Sequence, residues 1–208
     1  MSSAPEPFTH AIASRDGLFF ANRDRFTLVA EGQFFGMTLR GDDLYCFEAG
    51  DQPWVPSRLG RIVRFGRSGD GVGEREILVE GLDNGCHQID FFAGSCFVVD
   101  TYNQLILEYD RDWRLAATHQ PVPSVRLGEA GPDYFHINSF LGVDDSIFLL
   151  LHNGRLQRQA RSSRLTARSA SGGAFSWWTG RAMTSSGWRI AGSWCAIRCT
   201  ARSSTRMG

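Results

Sequence analysis

Residues 36–153 repeat themselves about every fifty residues, and a period of that length belongs to stacked supersecondary units. The three aligned segments are GMTLRGDDLYCFEAG at 36–50, CHQIDFFAGSCFVVDTYN at 86–103 and FHINSFLGVDDSIFLLLHN at 135–153. Tyr45, Phe97 and Phe148 fall at matching places, 52 and 51 residues apart. His87 and His136 are 49 apart, and Asn103 and Asn153 are 50 apart. Repeat units of this kind cannot bury their apolar surface alone and must stack on one another.

Within each unit the pattern is short strands and turns. The first has MTLR, the turn Gly41-Asp42-Asp43, LYCFEA, RIVRF and EREILVE. The second has HQIDFF, the turn Ala93-Gly94-Ser95, CFVVDT, LILEY and LAATH. Asp144 and Asp145 supply the matching turn of the third. Short runs of β-branched and aromatic residues between Gly, Asp and Asn are a strand signature. Leu105, Leu107 and Tyr109 alternate with Gln104, Glu108 and Asp110, although Ile106 breaks the alternation. No helix-period segment competes. Four strands about every 40–50 residues is the arithmetic of a propeller blade. The expected fold is therefore all-β: β-propeller blades of four antiparallel strands, about three of them, or half a ring. GLFFAN and RFTLVAEG add two earlier strands, which in a propeller often complete the last blade.

The rest of the chain reads differently. Residues 155–208 hold ten Arg, four Trp and no Asp or Glu, so the zero net charge of the chain hides an acidic front and a basic end. There is no Lys anywhere. The expected organisation is a partial propeller domain over 8–154 and an irregular Arg/Ser/Ala-rich tail over 155–208. Arg, Ser, Ala, Gly, Trp and Cys dominate when G+C-rich DNA is read out of frame, so the tail reads as a shifted frame or truncation. An arc of three blades would leave apolar surface uncovered at its ends. A basic tail that binds nucleic acid is a weaker reading, because the Arg residues are scattered and form no known module.

Five cysteines with irregular spacing and no signal peptide give no disulfide framework and point to reduced thiols in a cytoplasm. Cys46 and Cys96 sit in apolar runs and read as core residues. No run of 18 apolar residues occurs, so no membrane helix is expected. GxSxG, HExxH and P-loop patterns are absent.

The stretch Asp100-Thr101-Tyr102-Asn103-Gln104-Leu105-Ile106, after Gly85-Cys86-His87-Gln88-Ile89-Asp90-Phe91, resembles an NHL-type propeller repeat. The resemblance is to the six-bladed group that includes NHL-repeat and strictosidine synthase-like proteins, and it covers about residues 30–154. It implies ligand or partner binding at the mouth of the central channel, the partner being a small molecule or a protein. It implies, as an alternative, a calcium-dependent lactonase or phosphotriesterase, with Ca²⁺ held by carboxylate and Asn oxygens of inner strands. The inner-strand candidates are Asn84, His87, Asp90, His136 and Asn138. His87 and His136 read as repeat-equivalent and suit ligand contact or proton transfer, against the plainer reading of imidazoles that bond a neighbouring blade. Asp100, Asn103 and Asn153 read as turn residues that bond their own backbone. No cofactor is otherwise expected, and no residue is nominated as catalytic.

Overall fold

In the computed structural model the described residues are 8–52, 55–68, 71–122, 134–144, 146–151, 161–166 and 176–178. The strands in this set fall into four antiparallel sheets in chain order. A leading sheet holds β1 (His10–Ser14), β2 (Gly17–Ala21) and β3 (Phe26–Ala30). The first blade holds β4 (Gln33–Arg40), β5 (Asp43–Ala49), β6 (Gly60–Ser68) and β7 (Gly71–Leu82). The second holds β8 (Cys86–Phe92), β9 (Ser95–Asp100), β10 (Leu105–Tyr109) and β11 (Leu115–His119). The third holds β12 (Ile137–Val143), β13 (Ser146–Leu151), β14 (Arg161–Thr166) and β15 (Ser176–Trp178). No helix occurs among the described residues.

The sheets stack through their first strands: β1 lies against β4, β4 against β8, and β8 against β12. Sheets of four antiparallel strands stacked in this way are propeller blades. The repeat is also a register. Tyr45 pairs with Thr38, Phe97 with Asp90 and Phe148 with Leu141, at one site of each second strand.

The interior lies between the sheets, in three layers. Leu18, Phe34, Leu44, Cys46, Val63 and Phe65 fill the layer between the leading sheet and the first blade. Tyr45, Phe47, Ile62, Ile89, Cys96, Val98 and Tyr109 belong to the layer between the first and second blades. Phe97, Val99, Ile106, Ile137, Phe140 and Leu149 belong to the next. A middle strand therefore sends alternate residues into two different interiors rather than into core and solvent. This explains why LYCF and CFVV are unbroken apolar runs. It also corrects the reading of β10, where Ile106 is fully buried in one layer and Tyr109 lies in the other. Each such side chain contributes about 1.5–3 kcal/mol by leaving water.

Two devices bring the first strands together. Gly36 in β4 lies so close to β8 that a Cβ there would stand 2.4 Å from Gln88 Cα and 2.6 Å from Ile89 N. Thr38 Oγ1 donates to Asp90 Oδ1 across the same seam at 2.6 Å. Between β8 and β12 the contact is made by a side chain. Gln88 Nε2 donates to the Phe140 carbonyl at 3.0 Å, and the Phe140 N–H donates to Gln88 Oε1 at 2.7 Å.

Among the described residues the leading strands form a sheet against β4, with a third member, β1, whose Ala-rich HAIAS carries little strand signal. At the other end, β14 and β15 lie within residues 155–208, and β14 pairs along the whole of β13. The remainder of that stretch lies outside the described residues, as do Cys195 and Cys199. Among the described residues no helix is long and apolar enough to cross a membrane. Exposed large apolar side chains are spread over all four sheets, among them Phe26 of the leading sheet, Leu39 and Ile77 of the first blade, Leu115 of the second and Leu141 of the third, so they do not mark the ends of the stack.

Candidate functional site

The first strands share an irregularity at their entries. The pairing slips by one residue between Phe34 and Met37 in β4, between Cys86 and Gln88 in β8, and between Ile137 and Ser139 in β12. A bulge re-aims a side chain and often borders a functional site. The three registers put Phe35, His87 and Asn138 at one equivalent site. They put Gln33, Gly85 and His136 at another, two residues earlier.

His87 and His136 are thus not repeat-equivalent. Their 49-residue spacing differs from the 51-residue offset of the strands around them, which the shared register sets. The two imidazoles nevertheless meet, edge to face, with centroids 5.4 Å apart. The Phe35 ring lies 6.1 Å from His87, and the Tyr134 ring 5.8 Å from His136. Phe35, His87, His136 and Tyr134 form one continuous row of rings across the entries of three successive blades.

The row is held from behind. His136 has φ of 50°, a left-handed conformation uncommon for a residue with a side chain. Conformations of this kind persist only where the surroundings impose them. Here the turn after β9 does so. Thr101 Oγ1 donates to the Ile137 carbonyl at 2.7 Å, Tyr134 Oη donates to the Thr101 carbonyl at 3.1 Å, and the Phe135 N–H donates to Gln104 Oε1. Thr101 and Gln104 are fully buried. His87 is half-buried, and its pKa is lowered to about 4, first by burial and then by the charge of His136. It is therefore a neutral imidazole at physiological pH, able to donate from one ring nitrogen and accept at the other.

The other candidates lie elsewhere. Asp90 is tied to Thr38 and to the N–H of Phe91, the latter at 2.8 Å, and works as a clamp between blades. Asn138 occupies the His87-equivalent bulge of β12 and is half-buried. Asn84 is buried and holds the loop after β5: its Nδ2 donates to the carbonyls of Asp51 and Gln52 at 2.7 and 2.8 Å, and its Oδ1 accepts from the Asp51 N–H at 3.3 Å. In the turn after β9, the Asn103 N–H donates to Asp100 Oδ1 at 3.1 Å. Its Nδ2 reaches Asp100 Oδ2 and Asp83 Oδ2, each at 2.7 Å, so the amide bridges two buried carboxylates. Asn153 lies outside the described residues. Among the described residues no group of three or more His, Cys, Asp or Glu side chains is arranged to hold a metal ion.

Gln33 escaped the sequence reading. Its Oε1 is buried with no hydrogen-bond partner among the described residues, and it holds the register position of His136. Only the strand register reveals it, since nothing in Glu31-Gly32-Gln33 marks a site.

No family model matches the chain, and no curated protein matches it. A solved structure, the GH43 BlXynB protein from Bacillus licheniformis, is similar to it with a TM-score of 0.44 and 8% sequence identity. The similarity covers 82% of this chain and 42% of that one, so the chain spans well under half the length of that protein.

Proposed function

We propose that the chain is a propeller-type binding protein whose ligand sits on the ring row at the entries of the first strands. The observation that carries this reading is the meeting of His87 and His136 at 5.4 Å, with His136 in a left-handed conformation that the neighbouring turn enforces. Two imidazoles from successive blades, flanked by Phe35 and Tyr134, offer flat apolar walls and ring nitrogens together. Small-molecule sites are built in this way, with mostly apolar walls and a few fixed polar groups. His87 is neutral, so the row favours an uncharged polar ligand bearing hydroxyl or carbonyl groups over an anion.

The test is NMR of the full-length protein with ¹⁵N-labelled histidines. Small cyclic alcohols, lactones and amides are titrated in as probes, with Ca²⁺ alone as a separate arm. The expected result is a saturable shift of the His87 and His136 ring resonances with a neutral probe. That shift is lost in His87→Phe and in His136→Gly, which accepts the same backbone conformation. Probes that leave both rings unmoved, or that move them equally in the variants' remaining histidines, overturn the reading. Ring shifts with Ca²⁺ and none with the neutral probes would favour a metal-dependent site in its place.

A further inference from the structure

Gln88 and Gln104 show how this fold uses a glutamine between blades. Gln88 spends both ends of its amide on the Phe140 backbone, and Gln104 Oε1 accepts from the Phe135 N–H. Gln33 breaks the pattern. Its Oε1 is buried and has no hydrogen-bond partner among the described residues. A buried acceptor left unbonded is destabilising, and its retention calls for a partner from elsewhere.

The strand register places Gln33 beside the ring row. β4 and β8 run alongside each other at one offset: a Cβ at Gly36 would meet Gln88, Thr38 donates to Asp90, and the Phe35 ring lies 6.1 Å from His87. The offset holds through both bulges, since Phe34 pairs with Glu48 and Cys86 with Asp100. Gln33 is therefore the neighbour of Gly85, one step outside the contact of Phe35 with His87. Gln33 pairs with Ala49, ahead of the bulge that follows Phe34. Directly paired residues share a face of the sheet, and Ala49 belongs to the layer between the first and second blades. The Gln33 side chain thus stands on the same side as Phe35, roughly 7 Å along the strand from it. Gly85, across from it, has no side chain, and the Tyr102 ring takes the place a Cβ would fill. Gln33 as a whole is only half-buried, and the last torsion of a glutamine is soft. Its carbonyl can turn to a ligand on the row without any movement of the strand.

We infer that Gln33 is a specificity-determining contact of the ring-row site: its Oε1 accepts a hydrogen bond from the ligand, which therefore carries an O–H or N–H beside the part that lies on the rings. This rests on the row being the ligand site, and it narrows the ligand from neutral polar molecules to neutral donors. The test titrates δ-valerolactam and δ-valerolactone into the full-length protein and follows the His87 and His136 ring resonances. The two probes share ring size and carbonyl and differ in an N–H against a ring oxygen. Wild-type protein is expected to bind the lactam roughly five- to tenfold more tightly, the worth of one neutral hydrogen bond. Gln33→Met keeps the reach of the side chain and removes the acceptor. It is expected to bind both probes alike, with a urea midpoint no lower than wild type, because an apolar group replaces an unbonded buried acceptor. Equal affinities in wild type, with both probes moving the rings, overturn the inference and leave the row standing as a site. A lactam preference that survives in Gln33→Met, or a midpoint that falls, overturns it as well. Rings that neither probe moves refute the reading of the row itself, and the inference falls with it.

Discussion

Gly36→Ala is the sharpest test of how the blades are joined. The added methyl would stand 2.4 Å from Gln88 Cα, 2.6 Å from Ile89 N and 2.8 Å from Gln88 C. Ordinary contacts begin about 1 Å farther out, and the obstructing atoms are backbone that no rotamer change can move. β4 must therefore withdraw from β8 along their shared seam. That stretches the Thr38–Asp90 bond, now 2.6 Å, and loosens the layer that holds Tyr45, Phe47 and Ile89. Overpacking of this type costs about 1–3 kcal/mol, and a lost buried hydrogen bond adds about 1 kcal/mol. With an m-value of about 2 kcal/mol/M, the urea midpoint should fall by roughly 1–2 M. Gly41→Ala is the control. At Gly41, with φ of 63°, a Cβ meets nothing within 4 Å, so only the left-handed conformation is penalised, at about 1 kcal/mol. Equilibrium urea unfolding followed by tryptophan fluorescence measures both. If Gly36→Ala is no more destabilising than Gly41→Ala, the close approach of β4 and β8 is wrong.

Three further outcomes are expected. The folded-state pKa of His87, near 4, lies below its ordinary 6.5, so protonation favours the unfolded chain. The stability this group contributes, up to about 3 kcal/mol, is complete above pH 6.5 and drains away as pH falls toward 4. A stability–pH curve should show this limb, and His87→Phe, which copies the equivalent Phe35, should flatten it. Cys46, Cys86 and Cys96 are buried free thiols. Burial, aided by nearby carboxylates, raises the pKa of all three, that of Cys96 to about 12. Native protein should therefore leave them unlabelled by iodoacetamide, with modification at these positions appearing by mass spectrometry only in denaturant. Gln88→Ala removes both bonds to the Phe140 backbone and should cost about 2–3 kcal/mol in the same urea assay, whereas an unchanged midpoint would show that the strap carries no load.

The blades were legible because their middle strands are apolar on both sides and their turns are marked. Gly41-Asp42, Ala93-Gly94 and Asp144 each carry a left-handed residue at the tip of the first hairpin, and each stood out in the sequence. Tyr45, Phe97 and Phe148 gave the register correctly. What failed was weaker chemistry. HAIAS hid a strand behind small side chains. RSSRLT, the β14 sequence, has no alternation to read, and its strand character comes from pairing with β13. The histidine pair stands out by its spacing, but that spacing misstates why the rings meet: a bulge at His87 and a left-handed backbone at His136 bring together residues that are not counterparts. Asn84 reads in the sequence as an inner-strand ligand, but its partners, the carbonyls of Asp51 and Gln52, are more than thirty residues upstream and outside any local pattern.

Alternate residues of β5 and β9 point into different interiors, and this sets how mutations in the chain combine. Phe97 and Val98 are bonded neighbours, yet their side chains pack against different sets of residues, so truncating one leaves the packing partners of the other in place. Thr38 with Asp90, or Gln88 with Phe140, are 52 positions apart and share one seam. Coupling between mutations in this polypeptide should therefore recur at an interval of one blade.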